Sequence, residues 1–256
     1  MNIVNERNNK MTKPVIKNIM WDVDGVLASL DHAYFRFLKE HPNYKNEYKD
    51  LKWEDLPKAL PIDPKFGSLE LTSHPTKGKE FNEDFCHNSG EIYFDRPLYP
   101  EVVDTLTELH KKGYLQLTMS SGFNAEVKRK MIADTLGDKL SFVNIEVVEH
   151  QKSTKDAGHG KAMVGEKEQR IIECLKKYNL KPEETVLVDD RIFNCQTAVK
   201  VGMHTVRCRP GFTTDTPADV KATFDAEVKS VAEFKDWLLN NTTFLSADEL
   251  KNQNER

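Results

Sequence analysis

The chain has 256 residues and a mass of 29.4 kDa, enough for one α/β core carrying a sizeable insertion. With 37 Lys+Arg against 41 Asp+Glu the formal net charge is -4, so there is no global basic field to hold nucleic acid or an anionic membrane. Hydrophobic residues make up 38% of the chain and no apolar run approaches the ~20 residues of a membrane span, which excludes membrane spanning.

The opening MNIVNERNNKMTK is polar and lacks an apolar h-region, so residues 1–13 are read as a disordered tail without an export signal. Cys86, Cys174, Cys195 and Cys208 are far apart and show neither CxxC nor zinc-finger spacing. A reducing, cytoplasmic setting is expected. Val15 to Trp21 is a short apolar, β-branched run that stops at acidic and glycine residues, which predicts a buried strand. Similar runs at Tyr114 to Met119, Phe142 to Val148, Thr185 to Val188 and His204 to Arg207 predict four more. Helical patterns alternate with the later ones: Pro100 to Lys112, Asn124 to Leu136, Glu166 to Tyr178 and Asn194 to Val201, with a capping box at Ser230 and Glu233 opening a last helix. Alternation of this kind predicts a parallel sheet. About 70 residues after the first strand break the alternation, too many for a structureless loop in a compact domain. These residues are therefore read as a second, mostly helical lobe. Residues 14–28 and 97–245 form the core, and 246–256 are a polar tail.

Four stretches carry chemistry. At the end of the first strand stand Asp22, Asp24 and Gly25; alternation along an extended chain puts both carboxylates on one side, and the glycine lets the backbone bend around a bound group. An acidic turn is the plainer reading of these residues taken alone. Ser120 and Ser121, with Gly122, follow the second strand, where hydroxyls and free N–H groups suit phosphate oxygens; helix capping by a serine is the alternative. The stretch KSTKDAGHGKAMVGE is read as a loop that fits neither a P-loop nor a dinucleotide fingerprint. Within it Lys152 and Lys155 suit a solvated basic loop, whereas Lys161 is flanked by small residues that permit an anion to approach. Finally the strand Val186 to Val188 ends in Asp189 and Asp190. Two strands ending in acidic pairs on one edge of a parallel sheet repel unless a cation sits between them, which predicts a Mg²⁺ site.

In this order and spacing the four motifs resemble the haloacid dehalogenase superfamily, and specifically its phosphatase-like members with a helical cap inserted after the first motif. The resemblance runs from about Val15 to Trp237, and FDRPLYPEVVDTLTELHKKG is similar to the family's re-entry from cap to core. It implies a doubly wound α/β sheet of strand order 3-2-1-4-5 with a smaller, mostly helical cap over residues 29–96, and hydrolysis of a small phosphomonoester through a phosphoaspartate. Asp22 would be the nucleophile, Asp24 the acid and base, and Ser120, Ser121 and Lys161 the phosphate ligands. Asp22, Asp24 and Asp190 would hold Mg²⁺, with Asp189 in support. The lysine lies among Lys161, Lys155 and Lys167, with Lys161 preferred. A phosphosugar mutase would use the same motifs. A dehalogenase generally lacks the second Asp, and a noncatalytic Mg²⁺-binding protein would not be expected to retain every catalytic position. The expected partner is a small phosphorylated metabolite, recognised by cap residues for which His32, Tyr34, Phe35, His74 and Arg96 are candidates.

Overall fold

A computed structural model of the chain describes residues 13–85, 96–122, 125–149 and 159–244. The expected terminal tails, together with Lys152 and Lys155, lie outside the described residues or almost entirely so. The core is a five-stranded parallel sheet of β1 (Asn18–Trp21), β4 (Leu115–Thr118), β7 (Thr185–Asp189), β8 (His204–Cys208) and β9 (Ala226–Val228), ordered β4-β1-β7-β8-β9.

Side-chain alternation along these strands sorts the helices onto two faces. Ile19 and Trp21 of β1 and Val186 and Val188 of β7 pack with α4 (Val102–Lys111), α5 (Ala125–Leu136) and α9 (Val231–Asn241). Met20 and Leu187 point the other way, against α6 (His159–Lys177) and α7 (Ile192–Val201). Central parallel strands are thus buried on both faces, which is why they read as continuous apolar runs. This is the predicted doubly wound architecture. Trp21 anchors the first face: its ring meets Phe234 edge-on at 5.0 Å, and its indole N–H donates to Gln116 Oε1 at 3.0 Å, so a large apolar surface is buried without stranding a donor.

Three elements depart from the sequence reading. The expected third strand is reduced to β6 (Val147–Glu149), which pairs with β5 (Ser120–Gly122) in a separate two-stranded piece beyond the end of β4. Ser120 and Ser121 are therefore extended rather than at a helix start. The edge strand β9 was not expected; only three residues long and partly polar, it offers no apolar run to read. Helix α6 begins at His159, so that Gly160 and Gly165, which cost about 1 kcal/mol each in a helix, lie within it rather than in a loop.

Between the core strands, α1 (Leu30–Glu40), α2 (Leu56–Ala59), the hairpin β2 (Ile62–Asp63) with β3 (Ser68–Leu69), and α3 (Gly78–Glu83) build a second hydrophobic centre. Phe37, Tyr44 and Phe81 stack edge to face there with Leu38, Leu56 and Leu60 around them. The chain leaves and re-enters the core side by side, with Ser29 N donating to Pro97 O at 2.9 Å and Ala28 bridged to Leu98. The hairpin is pinned to the core by Arg207, which is fully buried and donates to Gly67 O (3.0 Å), Asp190 O (2.8 Å) and Thr214 O (2.9 Å). Gly67 has φ +72°, and a Cβ there would come within 2.4 Å of that guanidinium.

Candidate active site

Parallel register brings the ends of β1, β4 and β7 together. Asp22 N donates to Val188 O at 2.8 Å and Met119 N to Trp21 O at 2.7 Å, so Asp22, Ser120 and the Asp189–Asp190 pair emerge at one edge of the sheet. This is the carboxyl edge, where ligands bind in open α/β sheets. Asp22, Asp189 and Asp190 are buried, and one carboxylate oxygen of each lies within 4.8 Å of the others. Ser120 is buried beside them in sequence register.

Burial pushes Asp22 up to about 7; Lys167 draws it down in part, and Asp189 and then Asp24 add repulsion. Asp190 is raised well above the ordinary carboxylate range by burial and then by Asp189. Such crowding favours a divalent cation, and hard carboxylate oxygens suit one. The two members of the pair differ in what they have left to offer. Asp189 accepts from Lys167 (2.6 Å), Arg191 N (3.0 Å) and Asn194 Nδ2 (3.0 and 3.1 Å). Asp190 Oδ1 is buried with no hydrogen-bond partner, an acceptor waiting for a cation. Its carboxylate nests against Gly25, whose φ is +91° and where a Cβ would stand 2.9 Å from Asp190 Cγ. The residues present therefore fit a divalent metal.

The lysine at this centre is Lys167. It is buried and bonds both Asp22 Oδ1 (3.2 Å) and Asp189 Oδ2 (2.6 Å); burial disfavours its charge, but the two carboxylates outweigh that and raise its pKa. The sequence reading prefers Lys161 among Lys161, Lys155 and Lys167, and the contacts of Lys167 favour that residue for the role. The side chain of Lys161 lies outside the described part of the helix.

Asp24 sits in a different environment. Arg96 Nε is 3.0 Å from its Oδ1, and Lys128 bonds its Oδ2. Burial works against the charge, yet Arg96 and then Lys128 prevail and hold Asp24 down at about 2. Sequence reasoning named Arg96 only as a cap candidate and missed Lys128. A signal for both lysines existed: Ala125, Lys128, Ile132 and Leu136 line the buried side of α5, and Lys167, Ile171, Cys174 and Leu175 that of α6. A lysine at a core position of an amphipathic helix implies a buried partner. Of the other cap candidates, Tyr34 packs on Phe85 and His74 on Phe81 in the cap centre, while His32 and Phe35 contact Trp53.

The comparisons agree with this geometry. The family model of the haloacid dehalogenase-like hydrolases matches residues 16–202, and the chain belongs to that family of enzymes. Its fold is similar to that of a haloacid dehalogenase-like hydrolase from Streptococcus pneumoniae, at 16% identity and TM-score 0.59, covering 87% of this chain and 98% of that one. Candidate phosphatases from Clostridium acetobutylicum (16%, TM-score 0.58, 88% and 99%) and Clostridium difficile (16%, TM-score 0.60, 88% and 100%) share it. A search of curated proteins finds no match. Among the described residues no helix is long and apolar enough to cross a membrane.

Proposed function

We propose that the protein is a Mg²⁺-dependent phosphatase that hydrolyses a small phosphomonoester through a phosphoaspartate on Asp22. The observation that carries this reading is the pairing of two differently held carboxylates two residues apart: Asp22, against Lys167 and the acidic pair, and Asp24, turned to Arg96 and Lys128.

Asp22 attacks phosphorus, a bond forms between its carboxylate oxygen and phosphorus, and the ester P–O bond breaks. Asp24, ionised between Arg96 and Lys128 before substrate binds, takes a proton when the ester draws it away from those cations and delivers it to the departing alkoxide, then takes one from the water that attacks the phosphoaspartate, which releases phosphate and restores Asp22. Lys167 and Ser120 hold phosphoryl oxygens and balance charge as the transition state expands, with Ser121 beside them. Asp22, Asp190 and the Asp24 carbonyl would hold Mg²⁺, which supplies the positive charge that offsets repulsion between the nucleophile and a phosphate dianion. Asp189, saturated by Lys167, Arg191 and Asn194, orients the lysine. The buried thiols Cys174, Cys195 and Cys208 are unpaired and suit a reducing compartment.

The presence of Asp24 favours phosphoryl transfer over dehalogenation, because loss of an alkoxide needs a proton and loss of a halide does not. The test is phosphate release across sugar phosphates, nucleotides and phosphoacids with Mg²⁺, with isomer formation followed in parallel. Free phosphate from at least one class supports the proposal. Isomer without phosphate would make the enzyme a mutase, and release of halide from a haloacid with no phosphate activity would make it a dehalogenase.

A further inference from the structure

Arg191 stands between Asp190 and the first turn of α7, next in sequence to a carboxylate whose Oδ1 is buried and has no hydrogen-bond partner. A guanidinium one residue from such an oxygen is a natural donor to it. Arg191 instead turns to the cap hairpin, where its Nη2 pairs with Glu70 Oε1 and its guanidinium lies 5.0 Å from the centre of the Phe66 ring. The backbone holds this arrangement in place. Arg191 N donates to Asp189 Oδ1 at 3.0 Å, and Ile192 N donates to Phe66 O at 3.1 Å, so the hairpin and the start of α7 are joined beside the ion pair.

Glu70 is 8% exposed, and burying a carboxylate there carries a desolvation cost that an apolar residue at the end of β3 would avoid. Burial raises Glu70; Arg191 draws it down, and Asp63 and then Asp31 add repulsion. Arg191 is thus the cation that keeps Glu70 charged. Its own charge is opposed by burial and restored first by Glu70 and then by Asp190. At Asp190, after burial and the repulsion of Asp189, Arg191 is the next influence. Two carboxylates therefore compete for one guanidinium, and the one from the cap holds it. An Arg191 released from Glu70 has Asp190 as its next acceptor, and a guanidinium bonded there would occupy an oxygen that a divalent cation needs.

We propose that Glu70 is a positioning residue that draws Arg191 away from Asp190 and so leaves that carboxylate open to the divalent metal. The proposal rests on the reading of Asp22, Asp189 and Asp190 as a metal centre. The cap hairpin then supports the metal site through a side chain that is not a ligand.

The experiment is calorimetric titration of the full chain with MgCl₂, without any phosphate ester, for the wild type, Glu70→Gln, Arg191→Met and the double variant, with a thermal melt of each. Glu70→Gln keeps the side-chain shape and removes the charge; its Mg²⁺ dissociation constant is expected to rise about ten- to a hundredfold, the worth of a charge-assisted hydrogen bond that the metal must displace. Arg191→Met keeps the backbone N–H on Asp189 and should bind Mg²⁺ at least as tightly as the wild type, to within about threefold, and adding it to Glu70→Gln should restore binding to the same range. Asp63→Asn removes a charge from the same hairpin but not from the ion pair, and should change the constant by less than about threefold.

Unchanged Mg²⁺ binding in Glu70→Gln overturns the proposal. So does a loss that Arg191→Met fails to relieve, which would make Glu70 a structural support of the cap, and so does an equal loss in Asp63→Asn, which would assign the effect to the overall field. Should Glu70→Gln alone fail to fold, wild-type Mg²⁺ binding by both Arg191→Met and the double variant supports the proposal, and weaker binding by either overturns it. A wild type that binds no Mg²⁺ would sink the metal reading and this proposal together, whereas Mg²⁺ binding that is indifferent to Glu70 sinks the proposal alone. The expected pattern without phosphate release from any ester would sink the phosphatase reading and keep the role of Glu70.

Discussion

Lys167 donates to Asp189 Oδ2 at 2.6 Å while also reaching Asp22, so a residue of α6 ties the end of β1 to the end of β7. In the proposed mechanism the ammonium so placed holds a phosphoryl oxygen. Lys167→Met should lower the phosphate-release rate by a factor of about 10² or more with the fold retained, the size of effect seen when one oxyanion ligand is lost. Lys161→Met should stay within a few-fold of wild type. Steady-state rates on the best ester of the screen decide it, and the opposite ranking would return the role to Lys161.

The two carboxylates after β7 should separate cleanly in their response to metal. Asp190 has an unpartnered buried oxygen, whereas among the described residues the Asp189 carboxylate accepts from Lys167, Arg191 and Asn194. Asp190→Ala is expected to raise the Mg²⁺ concentration for half-maximal activity by at least about tenfold, and Asp189→Ala to lower the maximal rate with little change in that concentration. EDTA should abolish activity reversibly. Equal shifts in both variants would show that the ligand is shared.

Arg207 supports the site through its backbone. It joins the backbone carbonyls of Asp190, Gly67 and Thr214 and pairs with Glu227 at 3.4 Å. Arg207→Met leaves these buried acceptors without donors, so unfolding free energy should fall by about 3 kcal/mol and the melting temperature by about 10 °C. A change below about 2 °C would mean that water or backbone shifts replace the guanidinium.

A pH-dependent contribution to stability is expected away from the site, at His204 and Asp225, whose side chains meet at 2.9 Å. The hydrogen bond to Asp225 raises His204, while burial pulls Asp225 up but is outweighed by His204 and the Thr205 N–H, which lower it. A raised histidine stabilises fully below its unfolded value near 6.5 and loses that contribution as pH rises through the folded value. A lowered aspartate stabilises above its unfolded value near 3.8 and loses it as pH falls through the folded one. The pair therefore contributes most between about pH 4.5 and 6. His204→Gln should cost about 0.5 kcal/mol at pH 5.5 and almost nothing at pH 9, measured by urea denaturation. A cost independent of pH would assign the effect to packing.

What the sequence disclosed follows from which signals are local. Short apolar runs ending in Asp22 and Asp189 mark buried parallel strands with carboxylates at the carboxyl edge, because both faces of such strands are covered and only their ends are free to carry polar groups. The partners of those carboxylates are not local. Lys167 reaches Asp22 across 145 residues and Lys128 reaches Asp24 across 104, and nothing near either lysine names its partner. The buried stripes of α5 and α6 show that each lysine must be paired, but the pairing itself is set by how those helices lie on the sheet. The start of α6 was obscured by Gly160 and Gly165, whose intrinsic preference for loops is overridden by a helix whose later turns pack on the core.

The central claim is that Asp22 carries the phosphoryl group between ester and water. Its most direct test is an acid-quenched single turnover with the best ester of the screen, followed by peptide mass spectrometry. The peptide containing Asp22 should gain the mass of one phosphoryl group at early times and lose it as phosphate appears, and Asp22→Asn should show neither. Phosphate release with no phosphorylated Asp22 peptide at any time, or from the Asn variant at an appreciable rate, would contradict it.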